Sequence, residues 1–167
     1  MCYQLSRVII STSKRLPKNW DIFYIKQLIP FLLVSMRELK VVSRKRNEMI
    51  DITSDIQSIV NEEKPQNGHV IVYVPHTTAG ITINEGADPS VQRDIIETLK
   101  RLVPEKGDYH HMEGNSDAHI KASLLGSSVY VIVENNRLVL GTWQHIFFYE
   151  GDGPRNRKIF VTIISKK

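Results

Sequence analysis

From Ser127 to the C-terminus the chain is a succession of short β-type stretches with little but turns between them. SSVYVIV, RLVL, TWQHIFFYE and RKIFVTIIS are rich in the β-branched and aromatic residues that suit a pleated, half-buried surface. Glu134-Asn135-Asn136 predicts a tight hairpin between the first two. Gly151 to Pro154 turns the chain between the last two. No alternation of strand and helix persists, which rules out a doubly wound parallel sheet and leaves antiparallel pairing.

The upstream half supplies more strands and a few helices. LKVVSRK and NEMIDIT read as strands, the second by its alternation of apolar and polar residues. Thr53 or Ser54 caps a short helix, SDIQSIVNEE, which Pro65 and Gly68 end. HVIVYVP is a central strand, and after the polar turn HTTAG the segment ITIN is another. Asp88-Pro89 is a capping acid followed by proline at the first helical position. Val91, Ile95, Leu99 and Leu102 then share one face of an amphipathic helix that stops before Pro104. Ala118 to Leu125 forms a last short helix closed by Gly126. The expected fold is α+β: a mostly antiparallel β-sandwich with a few short helices.

Residues 1–35 differ from the rest. Met1 to Trp20 holds no sustained period, and the helical look of DIFYIKQLIPFLLVS is interrupted by Pro30. A docked helix, a disordered tail and a spurious upstream start compete, and the last two are preferred. Residues 36–167 form the single domain. The net charge of +4 suits anionic ligands such as phosphate esters. The aromatic residues lie in apolar strands rather than interleaved with basic ones, so no nucleic-acid partner is expected. The basic patch Arg44-Lys45-Arg46 is read as a solvated face. No segment has the apolar length of a membrane span, and no membrane partner is expected. Cys2 is the only cysteine, so a metal would have to be held by His, Asp or Glu. The protein is read as cytoplasmic.

Polar, chemistry-bearing residues crowd three stretches: PHTTAGITINEGADP, HMEGNSDAHIKASLLG, and GTWQ with EGDGPR. His76, His111 and His119 each sit at the end of a regular element, and three neutral imidazoles with one open position are the usual holder of a catalytic zinc. Their spacing is no established zinc signature. His110 beside His111 leaves open which of the two faces the pocket, since adjacent side chains diverge. His69 begins an apolar strand and is set aside. Asn84 and Glu85 end a strand, whereas Asp88 reads as a helix cap. Glu113 and Asp117 flank the histidines and could orient imidazole rings. Asn115 and Ser123 could assist, or serve only as local turns and caps. Thr77 and Thr78 offer hydroxyls to an anion, with Lys121 and Arg155 as cations. Trp143 is core or pocket wall, and Gln144 points to the opposite face of its strand.

HTTAGITINEGADP, the Tyr109-x-His-x-Glu-Gly-Asn run, SDAHIKASLLG, RLVLGTWQ and EGDGPR together resemble the YjbQ family. That family is described both as uncharacterised (UPF0047) and as secondary thiamine-phosphate synthases. The resemblance runs from about Met36 to the C-terminus. It implies a compact β-sandwich, a homotrimer, and a zinc-like histidine site matching His76, His111 and His119, with His111 selected over His110. Asn84, Glu85, Asp117, Lys121, Ser123 and Arg155 match further motif positions. His145 departs from the pattern, since the family commonly has glycine after TWQ. It could narrow the pocket, add a ligand or face outward.

Three functions follow as expectations. The first joins hydroxymethylpyrimidine diphosphate to a thiazole phosphate and releases diphosphate. Glu85, Asp117, Lys121 and Arg155 would be catalytic there, and Thr77, Thr78, Asn84, Asn115, Ser123, Trp143 and Gln144 would bind the phosphorylated substrate. The second is metal-dependent hydrolysis of phosphoesters or amides, with Glu85 or Glu113 as base. The third is a non-catalytic, trimeric anion- or metal-binding module.

Overall fold

Among the described residues, eight strands divide between two sheets, and three segments that cross from one sheet to the other meet at a single corner. The computed structural model describes residues 32–166; expectations about residues 1–31 lie outside the described residues. β1 (Leu32–Val42), β3 (Asn67–Tyr73), β5 (Ser128–Glu134), β6 (Arg137–Leu138) and β8 (Asn156–Lys166) form a five-stranded sheet in the order β1-β8-β3-β5-β6. β2 (Glu48–Asp51), β4 (Ala79–Glu85) and β7 (Gln144–Glu150) form a three-stranded sheet in the order β2-β7-β4. Every pairing is antiparallel. The α+β, mostly antiparallel reading stands. β1 begins at Leu32, earlier than the expected boundary at Met36, because it pairs with β8 from Leu32↔Lys166 to Val42↔Asn156.

One core fills the space between the sheets. Val70 and Val72 of β3, Val131 and Val133 of β5, and Ile159, Val161 and Ile163 of β8 meet Ile81, Ile146 and Phe148 of the smaller sheet. Alternation puts these residues inward and leaves His69, Tyr73, Tyr130 and Ile132 exposed. β7 breaks that alternation, since Phe147 and Tyr149 on its other face are buried too. Asn135 and Asn136 both take positive φ, 50° and 62°, and close the expected two-residue hairpin.

The helices cover what the sheets leave open. The first, α1 (Thr53–Glu63), buries Ile56 and Val60. Its expected serine or threonine cap is replaced: Ile52 holds the cap position, and Asp51 accepts hydrogen bonds from both the backbone N–H and the hydroxyl of Thr53. The second, α2 (Pro89–Leu102), starts as expected, with Asp88 accepting from the Ser90 N–H. No residue of α2 is fully buried, and Leu102 is 69 % exposed. The third, α3 (Ser116–Leu125), lies on β4, where Gly80 permits the approach; a Cβ there would crowd the Gly126 carbonyl and Leu125.

Of the connections that cross between the sheets, β1–β2, β3–β4 and β7–β8 are the three that meet at this corner. Backbone hydrogen bonds run from Ser43 N to Arg155 O, from Gly151 N to Thr78 O and from Gly153 N to Arg46 O. The PHTTAG and EGDGPR segments meet at this corner through these bonds, and the 111–126 stretch joins it through Asp117, which pairs with Arg46.

Candidate functional site

Helix α3 sorts its polar residues by spacing. Asp117 and Lys121 are four apart and share one face; His119 and Ser123 share another. Ala118 and Ala122, also buried, occupy a third. The two polar faces have opposite fates.

The first enters the corner as a buried ionic network. Lys121 Nζ lies 2.6 Å from Asp117 Oδ2, and both residues are essentially inaccessible. Arg46 bridges Asp117 (2.9 Å) and Asp152 (3.1 Å). Asp152 also accepts from Asn115 Nδ2 (3.0 Å) and from Arg155 (2.6 Å). Glu150, fully buried, accepts two bonds from Arg157 and one from the Ser43 hydroxyl. Arg157 also donates to the Thr78 hydroxyl. Tyr149 donates to Asn47, and burial with the Asp117 and Glu150 charges pushes its phenol further toward the neutral form. Burial pushes Asp152 upward, but the Asn115 amide and the Arg155 and Arg46 charges outweigh it and leave the carboxyl below its ordinary value.

The second face opens on a cavity of about 630 Å³. His76 and Thr77 from the β3–β4 crossing face His119 and Ser123 from α3 across an apolar floor that includes Val74 and Ala122. Ser123 donates to the His119 carbonyl, which pins it to its own helix. The Lys158 N–H donates to His76 Nε2 at 3.1 Å, so the proton of the neutral ring sits on Nδ1. Burial, then the nearby Arg157 charge, holds His76 below the ordinary histidine value, and it is neutral at pH 7. His119 also lines a second, adjoining cavity of about 420 Å³ together with Asp108, Tyr109, His110 and His111. The His111 and His119 rings meet edge to face with centroids 5.3 Å apart. Both His110 and His111 line this cavity, so the expected choice between them does not arise here.

The expected site residues thus fall into three places. His76, Thr77, His119 and Ser123 are together, with His111 next to them. Thr78, Asn115, Asp117, Lys121 and Arg155 are together in the network. Lys121 and Asp117, expected to be catalytic, are spent on each other, and Thr78 and Asn115 are engaged internally. Asn84, Glu85, Trp143 and Gln144 lie at the opposite end of the smaller sheet: Ala79 and Glu85 are separated by ~20 Å of extended strand. There Asn84 Oδ1 accepts from the Glu85 N–H and Gln144 Oε1 from the Gly141 N–H. Trp143, expected as core or wall, is 62 % exposed. Glu113 is within 3.7 Å of His111 Nε2.

The proposed zinc ligands do not form a set. Among the described residues no three His, Cys, Asp or Glu side chains gather in metal-holding geometry. In the arrangement seen, His76 offers no free lone pair, since Nε2 accepts from Lys158 and Nδ1 carries the proton. His111 and His119 remain as an adjacent pair.

His145 lies with the third group, as the register partner of Asn84. Its Nδ1 lies 2.5 Å from Asp51 Oδ2, and its ring stacks on Phe147 and over Gly86, where a Cβ would collide with the imidazole. Arg46, Glu150, Asp152 and Arg157 are the residues that local reading missed. Arg46 is no solvated patch: it reaches partners 71 and 106 positions away in sequence.

A sequence model of the YjbQ-like UPF0047 proteins matches residues 37–166. The chain belongs to that family. It is 53% identical over 128 residues to the UPF0047 protein MJ1081 of Methanocaldococcus jannaschii, covering 77% of this chain and 93% of that one. It is 46% identical over 130 residues to the UPF0047 protein YugU of Bacillus subtilis, with 77% and 98% covered. A crystal structure of a YjbQ/UPF0047 family protein from Clostridium acetobutylicum superposes with a TM-score of 0.75 at 54% identity, covering 76% of this chain and 98% of that one. A YbjQ-like protein of unknown function from Sulfolobus solfataricus gives 0.77 at 33% identity, with 80% and 99% covered. Family and fold are thereby shown together. Among the described residues no helix is long and apolar enough to cross a membrane.

Proposed function

We propose that the protein is an enzyme that works by acid–base chemistry on a small phosphorylated substrate in the His76–His119 cavity. The observation that carries this reading is the convergence of two imidazoles from separate elements on one cavity, one of them held neutral at pH 7. His76 offers a hydrogen bond from its Nδ1–H to a developing negative charge while keeping the proton, and in a hydrolytic reaction His119 takes a proton from the attacking water. Thr77 and Ser123 supply hydroxyls around the reacting atoms. A module that only binds has no need of two imidazoles brought from separate elements to one cavity.

The thiamine-phosphate synthase-type condensation implied by the family resemblance is the first specific reaction; its thiazole nitrogen carries no proton, so His119 there holds the substrate in place rather than acting as base. The pyrimidine methylene forms a C–N bond to the thiazole nitrogen as its C–O bond to diphosphate breaks. Diphosphate leaves with the bonding electrons, and His76 is placed to meet that charge. Phosphoester hydrolysis is the second reading. It is favoured by the engagement of Lys121 and Arg155 with Asp117 and Asp152, which leaves the cavity imidazoles and hydroxyls rather than cations. Zinc would have His111 and His119 to hold it, and no step depends on it.

The homotrimer belongs to the same proposal. Val34, Met36, Tyr73, Tyr130 and Ile132 are exposed on the outer face of the five-stranded sheet, an apolar surface of the kind that marks association. Sedimentation of the full chain tests it.

Incubation with both thiamine precursors, and in parallel with a phosphoester panel, tests the activity. Turnover in either assay that falls at least ~100-fold in His119→Ala supports the reading. Turnover in neither, or turnover indifferent to His76 and His119, rejects it.

A further inference from the structure

A third depression, of about 450 Å³, shares His76 with the 630 Å³ cavity and lies along the β1–β8 edge. Lys40, Lys158, Arg157, Glu38 and Asn156 line it. Lys40 and Lys158 are register partners on these antiparallel strands, so their side chains leave the sheet side by side. Like charges placed directly opposite destabilise a strand pair. Neither ammonium has a carboxylate partner among the described ion pairs. Arg157 offers no free charge, being held by Glu150 and Thr78, and Glu38 is the single acid of the lining. Lys158 is steadied over the Phe160 ring, 5.6 Å from its centroid, while its backbone N–H fixes the His76 ring. The cleft therefore carries two cations without ion-pair partners against the single Glu38 carboxylate, aligned by the strands and joined through one residue to the proposed reaction cavity.

We propose that this cleft is an anion subsite: it binds the phosphate or diphosphate end of the substrate between Lys40 and Lys158, with the reacting end toward His76 and His119. The proposal rests on the reading of that cavity as the reaction site. It supplies the cations that Lys121 and Arg155 do not bring there. An anion seated between the two ammoniums replaces their repulsion by two charge-assisted contacts.

The test is calorimetric titration of the full chain with inorganic diphosphate at low salt, repeated on Lys40→Gln/Lys158→Gln and on His119→Ala. The expected result is saturable binding to the wild type, about 10-fold weaker in the double lysine variant, the equivalent of ~1.4 kcal/mol. Binding should be unchanged in His119→Ala. Without diphosphate the lysine variant should melt at or above the wild-type temperature, since a repulsive pair has gone, and diphosphate should raise that temperature less. A phosphate monoester distinguishes sources: an ester spanning both cavities loses affinity in His119→Ala, and free phosphate does not. Absence of diphosphate binding by the wild type, or equal affinity in the lysine variant, overturns the subsite. Diphosphate held by the lysines with no turnover in any assay upholds the subsite and rejects the reaction. Turnover that needs His119 with KM unchanged in the lysine variant does the reverse.

Discussion

The two polar faces of α3 are drawn from the same ten residues, yet one is locked into the fold and the other faces open space. Asp117 and Lys121 are inaccessible and close-paired, whereas His119 and Ser123 border a cavity and make no ion pair among the described residues. The difference teaches that polar density in a sequence does not by itself mark a reaction site. A charged pair at i, i+4 can instead anchor a helix to a chain crossing, as Asp117 and Lys121 do at Arg46 and Asn47. Groups left with unused hydrogen-bonding capacity are the ones available for chemistry.

Breaking the locked face should have the largest effect. Asp117→Ala leaves Lys121 buried without its closest partner and Arg46 without one of its two buried carboxylates; the expected loss is ~3–5 kcal/mol in urea unfolding. Lys121→Met should cost less, because Asp117 keeps Arg46.

The far end of the smaller sheet sharpens the contrast by being distant from both faces. Gly86→Ala pushes the His145 ring away from Asp51, with an expected cost of ~1–3 kcal/mol. Turnover per folded molecule should be unaffected. Thermal melting and an assay on the same sample check both halves.

Acid should separate the regions by pH. The Asp152 carboxyl is below its ordinary value when folded, so its contribution is full above ~4 and is lost as the pH falls through the folded value. Asp51 behaves likewise: burial raises it, but hydrogen bonds from Thr53 and His145 outweigh that. Its effect is smaller because the side chain is well exposed. His76 acts at higher pH. Its folded value is below that of the unfolded chain, so the unfolded state binds more protons, and stability falls as the pH drops below ~6.5. Melting temperatures from pH 8 to pH 3 should show a shallow step near neutrality, removed in His76→Ala, and a steeper loss at the acid end.

The strands were legible because a period of two and short turns leave little choice, and α2 because Asp88-Pro89 announces it. The apolar face of α2 was legible too, but periodicity names a face without saying what covers it; among the described residues, nothing buries it completely. The corner was not legible. Ser43, Arg46, Thr78 and Arg157 find partners from 71 to 112 positions away, and no local pattern encodes such pairing. The split of α3 was written in its spacing: Asp117 and Lys121 at i, i+4 form a ready ion pair, and His119 and Ser123 lie on another face. Reading all four as one site overlooked that geometry. Asn84 and Glu85 are joined to the histidines by polar density and by their match to motif positions, and neither carries the strand's length that separates them from His76 in this chain.

The smallest expected change in stability is the one that tests the account most directly. Equilibrium urea unfolding of His119→Ala beside Asp117→Ala, on the full chain at pH 7, compares the two faces of α3 in one measurement. The account predicts that His119→Ala stays within ~0.5 kcal/mol of the wild type, while Asp117→Ala loses several times more. Equal losses, or a larger loss in His119→Ala, would contradict it.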